Sequence, residues 1–121
     1  MNSMSTLLQT EDLSFLHGKQ VDQVCIGLYQ LQIRLSENVC ISLEGNFHHK
    51  GHGSSSANMM EISTKGSTLL SLLGKTVERV MAGAGNALTL QFSDNEVLTI
   101  FIRGASYESL MITAPGKNIV A

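Results

Sequence analysis

Two stretches of the chain alternate between apolar and polar residues, which is the pattern of a β-strand with one buried face. Residues 31–35 are LQIRL and residues 88–92 are LTLQF. Each stretch is followed by a serine, an acidic residue and an asparagine, and then by a further apolar segment. Because asparagine and aspartate accept positive φ more readily than other non-glycine residues, we predict two β-hairpins with turns at Ser36–Asn38 and Ser93–Asn95.

The similarity between the two stretches extends towards the N-terminus. Each is preceded by a Gly-Lys-x-Val-x-x-Val segment, at residues 18–24 and 74–80, and an apolar helical turn comes before each glycine. A glycine at this position is typical of the end of a helix, where the left-handed conformation is needed. The Val-x-x-Val spacing breaks strict alternation and therefore predicts a β-bulge in the strand that follows.

These repeated features predict one domain over residues 1–121 that contains an internal duplication. The first meander occupies residues 13–47, the second 67–103, and residues 48–66 form a connecting loop. The predicted fold is mainly β, with two pseudo-symmetric three-stranded meanders in a sandwich or partly open barrel and a short helix before each. An α+β fold is the alternative if the helices are longer.

Composition adds an expectation about surfaces. Hydrophobic residues make up 43% of the chain and charged residues only 15%, against about 25% charged residues in typical domains. The segment 97–102 (VLTIFI) is apolar on both faces apart from Thr99. We therefore expect a partner or a second copy of the chain to cover part of it, and the predicted interface residues are Leu98, Phe101 and Ile102.

The net charge and the lengths of the apolar segments argue against binding to nucleic acid and against crossing a membrane. The formal net charge is −2 and no basic run is present, which argues against nucleic-acid binding. No apolar run approaches the roughly 20 residues that span a bilayer, and the N-terminus lacks the pattern of a signal peptide. The expected location is the cytoplasm, where Cys25 and Cys40 would be free thiols on the sheet face opposite the core.

The histidine-rich stretch is the candidate for metal binding. His48, His49 and His52 fall within five residues of one another, and histidine is a common ligand of transition metals. The flanking residues are glycine, lysine and serine rather than cysteine, so a solvent-exposed loop is the alternative interpretation. No cofactor is predicted.

Catalytic motifs are not evident in the sequence. The remaining groups for acid–base chemistry are His17, Glu44, Tyr107 and Glu108. No Gly-x-Ser-x-Gly or His-Glu-x-x-His pattern is present. We therefore expect a non-enzymatic interaction or accessory module of the immunity-like kind. Its expected partner is a second copy of the chain, in a homodimer, or another protein. The alternative is a protein that binds a small ligand or a metal, or an enzyme that uses the histidine-rich region.

The duplicated meander resembles a family of small uncharacterised bacterial proteins. The similarity lies in Leu72–Val77, in the turn Ser93–Asn95 and in Tyr107–Ser109, and it extends from Leu16 to about Pro115. The resemblance implies a duplicated β-meander. It brings no known activity, substrate or catalytic residue.

Overall fold

The computed structural model describes residues 10–44, 46–51, 54–57, 66–83, 87–101 and 110–120. These residues form ten β-strands and three short 3₁₀ helices. In chain order, the elements are η1 (Thr10–Leu16), β1 (Val21–Ile26), β2 (Leu31–Leu35), β3 (Val39–Leu43), β4 (Asn46–Lys50), β5 (Ser54–Ala57), η2 (Gly66–Leu72), β6 (Val77–Gly83), β7 (Ala87–Phe92), η3 (Ser93–Asn95), β8 (Val97–Phe101), β9 (Leu110–Ala114) and β10 (Lys117–Val120).

The strands form two antiparallel sheets of five strands each. Sheet 1 has the order β1-β2-β3-β9-β10, and sheet 2 has the order β5-β4-β8-β7-β6. The two sheets pack as a sandwich, without closing into a barrel. The predicted mainly β fold, with two meanders and a short helix before each, is therefore confirmed.

The two halves of the chain exchange hairpins. The β4–β5 hairpin directly follows β3 along the chain, yet β4 pairs with β8 of the second half. Likewise, β9 and β10 follow β8 but β9 pairs with β3 of the first half. Each sheet is thus one three-stranded meander extended by a hairpin from the other half.

The predicted connecting loop over residues 48–66 is wrong in its first part, because strands β4 and β5 occupy much of residues 46–57. These strands were missed because they consist mainly of asparagine, histidine, lysine and serine, which give little apolar alternation. In β4 only Phe47 and His49 are buried. Their side chains point into the sandwich, as alternate residues of one strand do.

The core lies between the sheets and is almost entirely aliphatic. The alternation predicted for β2 and β7 is confirmed, because Leu31, Ile33 and Leu35 are buried in one strand and Leu88, Leu90 and Phe92 in the other. Two of the short helices, η1 and η2, also contribute, with one leucine pair each. These pairs are Leu13 and Leu16 in η1, and Leu69 and Leu72 in η2.

Backbone hydrogen bonds in a pseudo-twofold arrangement join the two halves just before β1 and β6. The amide of Gly18 donates to the carbonyl of Val77 at 2.8 Å, and the amide of Gly74 donates to the carbonyl of Val21 at 2.9 Å. Gly18 and Gly74 have φ values of +86° and +80°. Only glycine adopts these values without strain, which explains why both copies keep it.

The predicted bulges and turns are present in both halves. The register shifts at the start of β1 and at the start of β6, where each Val-x-x-Val segment begins. Both central residues of each hairpin turn have φ of 62–63°, namely Glu37, Asn38, Asp94 and Asn95. Positive φ at both positions is the signature of a type I′ turn, which matches the twist of the adjoining strands.

The repeated lysines contact these turns. The Lys19 ammonium lies 2.7 Å from Glu37 Oε1, and the Lys75 ammonium lies 2.9 Å from Asp94 Oδ2. The hydrogen bond from Lys19, and then its charge, lower the pKa of the Glu37 carboxyl. The hydrogen bond to Asp94 raises the pKa of Lys75. Both pairs are solvent-exposed, so each contributes little to stability.

Two further sequence-based expectations concern the cysteines and membranes. Cys25 and Cys40 are free and half-buried, and they alternate with the core residues of β1 and β3, as predicted. Across the described ranges, the structure contains no helix with the length and apolar character needed to cross a membrane.

Candidate functional site

A histidine–glutamate pair is buried in the core. The His49 side chain is 3% exposed and that of Glu96 is 1% exposed, and among the described residues they are the buried polar or charged ones. His49 Nε2 lies 2.6 Å from Glu96 Oε1. Buried ionisable groups are retained in proteins mainly where they are paired, because burial of an isolated charge is costly.

Sheet 2 brings the two residues together. His49 is an inward-facing residue of β4, and Glu96 is the residue immediately before β8. The two strands are antiparallel neighbours, with Lys50 opposite Val97. This register places His49 and Glu96 next to each other at the end of the sheet where η3 leads into β8.

Helix η2 covers the pair and bonds to it. Ser71 Oγ donates a hydrogen bond of 2.9 Å to Glu96 Oε1. Thr68 Oγ1 lies 3.4 Å from His49 Nδ1. With Nε2 protonated and donating to Glu96, the other ring nitrogen carries a lone pair that faces the Thr68 hydroxyl. The four side chains form what we call the polar cluster: Thr68, Ser71, His49 and Glu96.

Gly51 allows the chain to pass close to the cluster. A β-carbon at this position would lie 2.6 Å from Glu96 Cδ, well inside van der Waals contact. The backbone after β4 therefore approaches the carboxylate in a way that no larger residue permits.

The pseudo-twofold axis gives an internal comparison for the cluster. His49 is paired with Leu98 of β8, and Ile112 is paired with Ile41 of β3. Because Leu98 and Ile41 are equivalent in the repeat, His49 and Ile112 occupy equivalent places in the two sheets.

The equivalents of the cluster in the other half are apolar. Alignment of the two copies pairs Glu96 with Val39, and Ser71 with Phe15. Val39 and Ile112 are buried, and Phe15 packs against the core. The same fold therefore closes one end with apolar side chains and the other with a carboxylate, an imidazole and a hydroxyl. The polar cluster is not a requirement of the architecture.

The outer surface of η2 differs between the halves as well. Leu70 and Leu73 are each 45% exposed, and Thr68 beside them is also exposed. The corresponding positions of Leu70 and Leu73 in the first half are Ser14 and His17, both exposed. We call Leu70, which lies in η2, and Leu73, which directly follows it, the η2 surface.

The predicted histidine site is only partly described. His48 and His49 are successive residues of β4, so their side chains point to opposite faces of the sheet and do not face a common ion. His52 lies outside the described residues. Within the described part of the chain, no three His, Cys, Asp or Glu side chains are grouped as metal ligands.

The other groups considered for catalysis do not join the cluster. His17 and Glu44 are exposed, and Glu44 accepts a hydrogen bond of 3.0 Å from the Gln30 amide. Tyr107 and Glu108 lie outside the described residues. Of the candidates named from the sequence, His49 alone is placed in the polar cluster.

The predicted interface strand is buried on one face only. Leu98 is fully buried within the chain itself, so it cannot contact a second copy. Phe101 is 41% exposed on the opposite face of β8, and Ile102 lies outside the described residues. Of the three predicted interface residues, Phe101 is the one that the structure leaves accessible.

Sequence reasoning missed Glu96, Ser71 and Thr68. The signal that could have found Glu96 is in the repeat. In the alignment of the two copies, Glu96 corresponds to Val39, so an acidic residue replaces an apolar one directly after the hairpin turn. Ser71 opposite Phe15 is a second such difference. Their common location becomes visible only once the exchanged β4 brings His49 to them.

No protein-family model, curated protein or solved structure matches the chain.

Proposed function

We propose that the chain is a protein-interaction module that forms a homodimer through the η2 surface. The observation that carries the proposal is the difference between the halves at equivalent exposed positions. Leu70 and Leu73 are each 45% exposed, where the first half has Ser14 and His17. Leu70 and Leu73 are close in sequence and stand where the other half has polar residues, and we take this local apolar surface as the contact surface.

The polar cluster supports this role by fixing η2 in place. A helix of seven residues has little stability of its own. Ser71 ties it to Glu96, and Thr68 faces His49, while Leu69 and Leu72 anchor its inner face in the core. The two exposed leucines are thus presented on a rigid support, which lowers the entropy lost on binding.

A second copy of the chain is the partner that we favour. The net charge of −2 gives little repulsion between two copies, and a twofold dimer buries the same patch on both subunits. Full burial of a leucine contributes about 1.5–3 kcal/mol, whereas a Kd of 1 μM corresponds to about 8 kcal/mol. We therefore expect a weak dimer whose population rises with concentration.

The test is the molar mass in solution by light scattering over a range of protein concentrations. We expect a shift from monomer towards dimer in the wild type, and a monomer throughout for L70S/L73H, which copies the first-half residues. F101S serves as the matched control, because it removes an exposed apolar residue outside the η2 surface and should leave the dimer intact.

Two results would contradict the proposal. A wild type that stays monomeric at every concentration would exclude self-association. A dimer that persists in L70S/L73H and is lost in F101S would move the interface to the outer face of sheet 2.

A further inference from the structure

We propose that Thr68 is a nucleophilic hydroxyl activated by His49, and that the site accepts acyl groups from activated carboxylic esters. The geometry behind this is a continuous chain of three groups. Thr68 Oγ1 lies 3.4 Å from His49 Nδ1, and His49 Nε2 lies 2.6 Å from Glu96 Oε1. This activity goes beyond the interaction function, does not depend on it, and would replace the sequence-based expectation of a non-enzymatic module.

The arrangement contains the parts that a hydroxyl nucleophile needs. A hydroxyl is a weak nucleophile until a base takes its proton, and the base works best when a third group orients it. Glu96 holds the His49 ring, and Ser71 in turn donates to the same carboxylate oxygen at 2.9 Å. The 3.4 Å separation of hydroxyl and imidazole is longer than an ideal hydrogen bond, as is common in catalytic pairs without substrate.

The exposure of Thr68, His49 and Glu96 differs in a way that suits such chemistry. Thr68 is exposed on η2, whereas His49 and Glu96 are 3% and 1% exposed behind it. Thr68 is therefore the member of this chain of groups that contacts solvent, and its hydroxyl, which faces His49, lies between solvent and the shielded base and carboxylate. In the monomer, Leu70 on the same short helix is also exposed and offers an apolar contact for an acyl chain, a contact that the proposed dimer would occupy.

The comparison between the halves supports a chemical role independently of these distances. The first half closes the equivalent end with Phe15, Val39 and Ile112. Replacement of both partners of a buried hydrogen bond by apolar groups of similar shape is often nearly neutral for stability. Since the fold contains an apolar alternative at the equivalent end, η2 could be held without these polar groups, and a reacting hydroxyl gives them a use beyond holding the helix.

The proposed reaction balances without any further reactant. The Thr68 oxygen attacks the ester carbonyl carbon while its proton passes to His49 Nδ1, and Glu96 stabilises the imidazolium that forms. The C–O bond to the alcohol then breaks, and the departing alkoxide takes the proton from Nδ1. The products are an ester on Thr68 and a free alcohol. Attack by water on that ester, by the same proton transfers, would release the carboxylic acid.

The experiment uses p-nitrophenyl hexanoate as the probe and follows p-nitrophenol release together with peptide mass spectrometry. We expect a hexanoyl adduct on the peptide that carries Thr68, and Thr68→Ser should also be labelled because it keeps a hydroxyl. Thr68→Val should lose this adduct. Thr89→Val, on the outer face of β7, is the matched control and should be labelled at Thr68 like the wild type.

A second variant separates chemistry from folding. H49I/E96V/S71F copies the apolar end of the first half and leaves Thr68 without its base. We expect labelling of Thr68 to fall at least about 100-fold in this variant, the lower range for loss of general base catalysis, while circular dichroism still shows the β fold.

Each result decides the proposal. Labelling of Thr68 at the wild-type rate in H49I/E96V/S71F would show an ordinary surface hydroxyl, and absence of a Thr68 adduct in the wild type would exclude the activity. Absence of the Thr68 adduct would not contradict the proposed dimer, because light scattering of Thr68→Val measures association independently of the acylation. Conversely, a monomeric protein that still forms the adduct would contradict only the dimer.

Discussion

At the scale of single residues, the most informative feature is the burial of a carboxylate and an imidazole in an otherwise apolar core. Glu96 accepts hydrogen bonds from Ser71 and, with the tautomer described above, from His49. These bonds compensate for part of the hydration that the carboxylate loses. The partners are interdependent, because removal of one leaves the others buried without their bond.

We expect the single variants H49I and E96V to be strongly destabilised, each by about 3–5 kcal/mol, since one partner of a buried pair is left behind. The triple variant H49I/E96V/S71F should instead have a free energy of unfolding close to that of the wild type, because it reproduces the packing of Ile112, Val39 and Phe15. Urea denaturation followed by circular dichroism measures all of these values.

One result would contradict the predicted stability of the triple variant. If the triple variant were as unstable as the sum of the single variants, the two ends of the core would not be equivalent in shape. The internal comparison between the halves would then lose its value. A marked recovery on combining the substitutions would demonstrate coupling within the cluster.

At the scale of elements, the hairpin turns are set by backbone conformation rather than by side-chain contacts. Glu37 and Asp94 both have positive φ, a region that costs most residues about 1–2 kcal/mol. We predict that Glu37→Gly is more stable than Glu37→Ala by about 1 kcal/mol. Both variants lose the carboxylate that meets Lys19, so their difference reports the backbone alone.

The matched control for this turn is Gln32 in the extended strand β2. There, the order should reverse, with Gln32→Ala more stable than Gln32→Gly, because glycine loses more freedom on entering a strand. Thermal unfolding of the four variants is sufficient as a measurement. Equal stability of Glu37→Gly and Glu37→Ala would contradict the positive φ.

Elements were predictable from sequence where the pattern came from one local rule. Strands β2 and β7 follow from period-two alternation, and the turns and bulges follow from the repeated Ser-acid-Asn and Val-x-x-Val segments. Strands β4 and β5 were not predictable in this way, because β4 joins the sheet by pairing with β8 of the other half and the residues of both strands are mostly polar. The polar cluster depends on that exchange, so only His49 could be named beforehand.

At the scale of the whole molecule, the exchanged hairpins make the halves mutually dependent. Strand β4 has its sheet neighbour β8 in the second half, and β9 has its neighbour β3 in the first. The helices follow the same scheme, since η1 packs on β6 and η2 packs on β1. Neither half therefore contains a complete sheet.

We predict that fragments 1–57 and 58–121 are unfolded when separate and regain β structure when mixed in equal amounts. The reason is that one hairpin of each sheet comes from the other fragment, and each of η1 and η2 packs on a strand of the other fragment. Circular dichroism and the dispersion of amide signals in NMR spectra provide the measurement, with the intact chain as reference. Cooperative unfolding of either fragment as a monomer would contradict the prediction.

The exchange of hairpins also has a consequence for synthesis on the ribosome. When β8 is made, its neighbour β4 is already available, but β3 ends at Leu43 and must wait for β9, which begins 67 residues later at Leu110. At about 5–20 residues per second, this delay is roughly 3–13 s. During that time, the edge of β3 presents unpaired amide and carbonyl groups to other nascent chains. Sheet 1 is begun first and completed last, so β3 is the strand whose early protection would most affect the yield of folded protein.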